Sequence, residues 1–305
     1  MLKKIGRLGI TLLLTAVPLL AVAWLITFNA EVGMAKQIGI HDPYMSIQDY
    51  SVVPPTVVND AVELATELAG ETGDSVQGFV DQTLAMYLEA AKTDVIVIFN
   101  SGGWGWNLNQ ETPGWQSILD GIKEQLDNFG YKSLVVNYRR TTGGLPGMFK
   151  EFVEMVRRYP HRAPDLARRI EFLVQHLPKI RVIIAGESTG TVITDKTMAI
   201  LQNNPQVYSI QTGTPFWHKA SPSTRTLLMN SNGNTVDTFS YGDVPAIVWA
   251  TVKHWLHLES NEAPGDILSW LRAPGHDYSW QYPGVCSEVI RFLEKNFGPE
   301  QQISR

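Results

Sequence analysis

Ser188 stands in Gly186-Glu187-Ser188-Thr189-Gly190, a match to G-x-S-x-G. A serine hydroxyl becomes a nucleophile when a positioned base accepts its proton. A sharp turn between a strand and a helix presents such a serine to a substrate. The flanks have the required types. Val182, Ile183, Ile184 and Ala185 lead in as a short apolar strand, and a helix-compatible run from Thr191 to Asn203 leads out. The neighbours of the serine must be small because the turn is crowded and strained. The following helix would aim free N–H groups and its positive dipole end at the serine oxygen. The pentapeptide alone also fits a buried strand ending in a Gly-Ser turn without chemistry, so its context carries the reading. Other candidates are weaker. Lys196 comes too late for a Ser-x-x-Lys arrangement. His254 and His257 lie three apart on an expected helix with no third metal ligand in view.

The elements that must position Ser188 follow from periodicity. Apolar residues recur at helical spacing over Val57–Leu68 and Val76–Ala91. Asp94 to Phe99 (DVIVIF) is apolar on both faces, as a strand inside a parallel sheet should be. It runs into Asn100-Ser101-Gly102-Gly103-Trp104-Gly105-Trp106, where glycines let backbone approach a ligand. A helix with Trp115, Ile118, Leu119, Ile122, Leu126 and Phe129 on one face ends at Gly130. Leu134 to Val136 is the next strand. Two short helical patterns, split by Pro160 and Pro164, fill a basic stretch from Thr141 to Lys179. That stretch could cover a site, greet anionic headgroups, or simply be solvated helix faces. Past Ser188, strands are expected at Val207–Gln211 and Thr235–Ser240. A last helix carries Val285, Val289, Ile290, Leu293 and Phe297. This alternation predicts an α/β fold: a mostly parallel sheet with right-handed crossovers and helices on both faces.

From Asp94 to Gly298 the chain resembles the α/β-hydrolase family. Four segments carry the resemblance: GESTG, NSGGWG after the first strand, GD in YGDVPA after a late strand, and GH in PGHDY before the final helix. GTPFW, after the strand beyond Ser188, also looks like the GTP segment of lipase-type members. The resemblance implies a triad in the order Ser188, Asp243, His276. His276 would accept the serine proton, and Asp243 would fix its tautomer and balance the imidazolium. Asp237 and Asp266 compete with Asp243, whereas Asp277 abuts His276 and is badly placed to reach its ring. The oxyanion hole would use the N–H groups of Thr189 and of Gly102 or Gly103. Trp104 and Trp106 could line an acyl pocket. Strands expected ahead of Asp94 are not evident, so the sheet should be a reduced one. Ser101 stands where lipases often have histidine.

Composition bounds the function. With 305 residues, 44% hydrophobic and 18% charged, the chain can bury a large core. A net charge of −5 argues against nucleic acid as a partner. The single cysteine, Cys286, excludes an internal disulfide, and no cofactor is called for. Lys3, Lys4 and Arg7 precede an uncharged run from Leu8 to Phe28. A helix over that run would be about 30 Å long, enough to span a hydrocarbon core. The cationic flank would keep the N-terminus cytoplasmic. The chain therefore divides into 1–30, an anchor or signal; 31–93, a lead-in with bracing helices; and 94–305, the hydrolase-like domain. The expected function is a membrane-tethered serine hydrolase, outside the cytoplasm, acting on an ester or thioester, with a lipid or other apolar acyl substrate suggested by the anchor and nine tryptophans. A tethered binding module with a silent pocket is the alternative. Ala21-Val22-Ala23 is also a signal-cleavage pattern, which would give a secreted protein. Mass spectrometry of the mature N-terminus separates the two: an uncut Leu8–Phe28 run for the anchor, a start after Ala23 for the signal.

Overall fold

The computed structural model describes residues 51–69, 73–105, 111–140, 144–221, 223–258, 265–268 and 271–299. The expected segment 1–30 lies outside the described residues. Among the described residues no helix is long and apolar enough to cross a membrane. The elements run α1 (Pro55–Ala69), α2 (Gly73–Ala90), β1 (Val95–Asn100), α3 (Pro113–Asn128), β2 (Ser133–Asn137), α4 (Gly144–Val156) and α5 (Arg162–His176). Then follow β3 (Arg181–Glu187), α6 (Thr189–Ile200), β4 (Val207–Thr212), β5 (Thr226–Met229), α7 (Thr238–Tyr241), α8 (Val244–Trp255), β6 (Asp266–Leu268), β7 (Leu271–Arg272) and α9 (Pro283–Phe297).

Strands β1 to β5 form one parallel sheet in the order β2-β1-β3-β4-β5. Successive side chains of a strand face opposite ways. On β1, Ile96 and Ile98 enter one core while Val95, Val97 and Phe99 enter the other. On β3, Val182 and Ile184 join the first and Ile183 and Ala185 the second. Both faces are therefore covered, which is why these strands read as unbroken apolar runs. Helices α1, α2, α5 and α6 pack on the first face, α3 and α9 on the second. Burying each of these large aliphatic side chains contributes about 1.5–3 kcal/mol. No strand precedes β1 among the described residues.

The basic stretch resolves into α4 and α5. The chain breaks at Arg158, Tyr159 and Pro160, where the first two adopt positive φ angles of 61° and 55°. Pro164 instead sits in the first turn of α5, where a missing N–H costs nothing. Several of its cations make ion pairs rather than a free basic face. Arg168 pairs with Glu67 of α1, and Arg169 pairs with Asp165 and lies over the Phe79 ring.

The last part of the sheet departs from expectation. Thr235–Ser240 is not a strand. It makes a single bridge, Ser231 with Val236, and then the one-turn helix α7. The Asp237 carboxylate accepts the backbone N–H groups of Phe239 and Ser240 at 2.9 and 3.1 Å. That caps a helical turn and diverts the chain from an extended path. The edge position is taken by β5, whose Thr226 pairs with Ser209 of β4.

In the order 2-1-3-4-5 the chain leaves β1 toward β2 and then returns to its other side at β3. The crevice at the carboxyl ends of β1 and β3 is where ligands bind in such sheets. Gly190 lets α6 sit close to β1 there. A Cβ at 190 would stand 2.2 Å from the Asn100 carbonyl oxygen, and Asn100 Nδ2 donates to the Gly190 carbonyl at 3.0 Å. Gly190→Ala is expected to lower stability by about 2 kcal/mol through this overlap. Urea unfolding measures it, and an unshifted midpoint would contradict the packing.

Candidate active site

Ser188 lies between β3 and α6 with φ 47° and ψ −120°. A non-glycine residue there costs of order 1–3 kcal/mol and persists only because its surroundings enforce it. The enforcing contacts are visible. Ser188 N–H donates to the Thr212 carbonyl of β4 at 2.9 Å, and the Ser188 carbonyl accepts Thr191 N–H and Oγ1. A Cβ at Gly186 would meet Thr194 Oγ1 at 2.7 Å, so both glycines of the pentapeptide are required by close approach.

His276 precedes α9, and its Nε2 lies 3.1 Å from Ser188 Oγ. Its Nδ1 lies 2.8 Å from Asp237 Oδ2. The acidic partner is therefore Asp237, not Asp243. Asp243 is exposed and caps α8 by accepting Ala246 N–H at 3.1 Å. The reason lies in the sheet. With β5 ending at Met229, Asp237 falls at the N-cap of α7 beyond the edge strand, and Asp243 lies further on, at the N-cap of α8. Asp266, the other alternative, opens β6. Asp277 instead accepts Tyr282 O–H at 2.6 Å.

Asp237 is fully buried. Its Oδ2 also accepts Tyr278 O–H at 2.8 Å and Ser240 O–H at 2.9 Å. Burial pushes its carboxyl up, but the His276 ring and these donors outweigh that and hold it below the ordinary aspartate range. An ionised carboxylate only accepts, so His276 Nδ1 carries the ring proton and Nε2 is left to accept from Ser188. Burial and the adjacent Asp237 carboxylate push the Tyr278 phenol up, which keeps it a donor. The Phe239 ring packs edge-on against the His276 ring, 5.0 Å between centres, and limits its rotation.

A cavity of about 350 Å³ opens over Ser188, with Gly102, Gly103, Trp115, Glu187 and His276 in its wall. Trp115 is held by its indole N–H on Thr212 Oγ1 at 3.0 Å. The tryptophan of the cavity is thus Trp115 rather than Trp104, and Trp106 lies outside the described residues. Thr189 is the first residue of α6, so its N–H has no partner within the helix. Gly102 N–H, one of the expected oxyanion donors, is engaged by Glu187 Oε2 at 3.0 Å. Burial pushes the Glu187 carboxyl up, opposed by the Gly102 N–H and by His276. Asp237 enters the sequence reading only as a competitor of Asp243, and Tyr278 and Glu187 are not read there as site members. Tyr278 stands two positions past His276, the one local signal for it.

Among the described residues no group of three or more His, Cys, Asp or Glu side chains could hold a metal ion. His254 of the expected pair meets Arg272 Nη2 at 3.2 Å.

No family model matches the chain, and neither does any curated protein. Among solved structures, a Trichoderma reesei cutinase in complex with a C11Y4 phosphonate inhibitor is similar at 14% sequence identity and a TM-score of 0.35, covering 64% of this chain and 88% of that one. A likeness of that degree bears on neither activity nor substrate.

Because Asp237 titrates below its ordinary value, its charge contributes stability above that value, near pH 3.8, and loses it as pH falls through the lower folded value. Asp237→Asn should therefore be less stable than wild type at pH 7, with the gap closing in acid. Asp243→Ala should cost about 1 kcal/mol as a lost helix cap. Urea unfolding from pH 7 downward reads both; a pH-independent gap for Asp237→Asn would contradict the assignment.

Proposed function

We propose that the protein is a serine hydrolase of the α/β-hydrolase family that cleaves an ester or thioester through an acyl-enzyme. One observation carries this reading: the unbroken hydrogen-bonded line from Ser188 Oγ through the His276 ring to the buried Asp237 carboxylate, at 3.1 and 2.8 Å. The parallel sheet, the strained serine after β3 and the histidine before the last helix support the family reading.

The chemistry follows from the geometry. Ser188 Oγ attacks the substrate carbonyl while His276 Nε2 takes its proton. Asp237 holds the Nδ1 proton in place and balances the charge on the imidazolium. Backbone N–H groups of Thr189 and of the loop after β1 receive the oxyanion, and each such donor is worth about 3 kcal/mol of transition-state stabilisation. His276 then protonates the leaving group. Water attacks the acyl-enzyme with His276 again as base, and Ser188 is released.

A lipid or other apolar acyl group is the proposed substrate class. It is supported by the apolar Leu8–Phe28 run and by Trp115 and Ile267 in the cavity wall. The same run supports a place outside the cytoplasm, tethered to the membrane, or secreted if the signal reading holds.

A fluorophosphonate probe should label wild type at Ser188 and leave Ser188→Ala unlabelled. Asp237→Asn should lower kcat by about 10³–10⁴-fold, since the amide favours the wrong ring tautomer, whereas Asp243→Asn should not. A folded wild type that resists the probe would contradict the proposal.

A further inference from the structure

The loop after β1 is built around a buried cation. Arg140 follows β2 and is 2% exposed. Its Nη2 donates to the carbonyl oxygens of Ser101, Gly102 and Gly103 at 2.9, 3.2 and 3.1 Å. It also lies 3.5 Å from Thr189 Oγ1, which itself donates to the Gly103 carbonyl at 3.0 Å. On its other side, Arg140 Nε faces Glu151 Oε1 of α4 at 3.3 Å, and Tyr159 presents its ring 5.5 Å from Cζ. Arg140 N–H donates to the Gly105 carbonyl at 3.0 Å. A Cβ at Gly105, where φ is 74°, would stand 2.0 Å from Arg140 Nε. The last glycine of NSGGWG, Gly105, thus makes room for a guanidinium.

This sets the direction of the loop's N–H groups. In a trans peptide the C=O of one residue and the N–H of the next point opposite ways. With the Ser101 carbonyl turned down onto Arg140, Gly102 N–H points up, where Glu187 Oε2 receives it. With the Gly102 carbonyl turned onto Arg140 in the same way, Gly103 N–H points away from Arg140, and Gly103 and Ser188 line the same cavity.

We propose that Arg140 and Glu187 are positioning residues that hold Gly102 from both ends, so that the N–H groups of Gly103 and Thr189, not Gly102, receive the oxyanion. This rests on the hydrolase reading above. A lysine at 140 carries one donor nitrogen and cannot face the three carbonyls and Glu151 at once, as the guanidinium does through Nη2 and Nε. Leucine at 187 removes the acceptor for Gly102 N–H, while glutamine keeps an acceptor oxygen without the charge.

The test uses the full chain with p-nitrophenyl butyrate as substrate and butylboronic acid as the tetrahedral probe. Arg140→Lys should lower kcat at least tenfold with KM within threefold of wild type. Its affinity for the boronic acid should fall by a similar factor, because only the tetrahedral form needs the oxyanion donors. Glu187→Leu should show the same split, and Glu187→Gln should recover most of the loss. The Glu187 variants change a cavity-wall residue and carry the test if Arg140→Lys does not fold. An active wild type whose kcat and boronate affinity stay within threefold in both Arg140→Lys and Glu187→Leu overturns the proposal alone. So does a loss confined to KM. A wild type that neither turns over the ester nor binds the boronic acid overturns the hydrolase reading and this proposal with it.

Discussion

A carboxylate shut away from water must have donors on both oxygens, because an unpaired buried charge costs several kcal/mol. Asp237 meets that demand with Phe239 N–H and Ser240 N–H on Oδ1 and with His276, Tyr278 and Ser240 Oγ on Oδ2. The donors come from separate stretches of chain. The loop after β5 supplies the acid and its own helical turn, while the loop before α9 brings His276 and Tyr278 together. The ring orientation, its tautomer and its distance from Ser188 all follow from satisfying that one group. Removing the acid would leave the His276 Nδ1 proton and the Tyr278 hydroxyl without their acceptor, so the cost would fall on the site before it fell on the sheet.

The sheet supplies a second, independent constraint. Ser188 is held at a positive φ by bonds to β4 and by the first turn of α6, and Gly186 and Gly190 allow that helix to sit close against β1. Behind the loop after β1, the Arg140–Glu151 pair sits almost wholly out of solvent. A buried ion pair contributes little net stability over an apolar substitute, and removing one partner is strongly destabilising. Such a pair is best understood through what it orients, here three successive carbonyls of a glycine-rich loop. Ser188, His276 and the loop after β1 are thus each fixed by rigid elements at the switch point of the sheet.

Much of this was legible in the sequence. The unbroken apolar runs of β1 and β3 announced a sheet covered on both faces, and G-x-S-x-G between strand and helix marked Ser188. The Gly-His before a final amphipathic helix marked His276. The acid was legible only as a choice between Asp243 and its competitors Asp237 and Asp266, and the sequence favoured Asp243 for a local reason. Thr235 to Ser240 has the β-branched and aromatic content of a strand, which made Asp243 look like the residue just past a strand end. The side chain of Asp237 captured two backbone donors and turned that segment into a helical cap, and β5 lay earlier, at Thr226–Met229. Propensity yielded to one side-chain interaction. Arg140 was hidden for another reason: an arginine in NYRR reads as solvated, and only the folded loop around it shows otherwise. The glycines of NSGGWG suggested ligand approach, yet Gly105 is there for the guanidinium.

The central claim, that Asp237 rather than Asp243 completes the line through His276 to Ser188, is tested most directly by proton NMR of the imidazole N–H. The account predicts a low-field Nδ1–H resonance in wild type that persists in Asp243→Asn and disappears in Asp237→Asn. Loss of that resonance in Asp243→Asn, or its survival in Asp237→Asn, would contradict it.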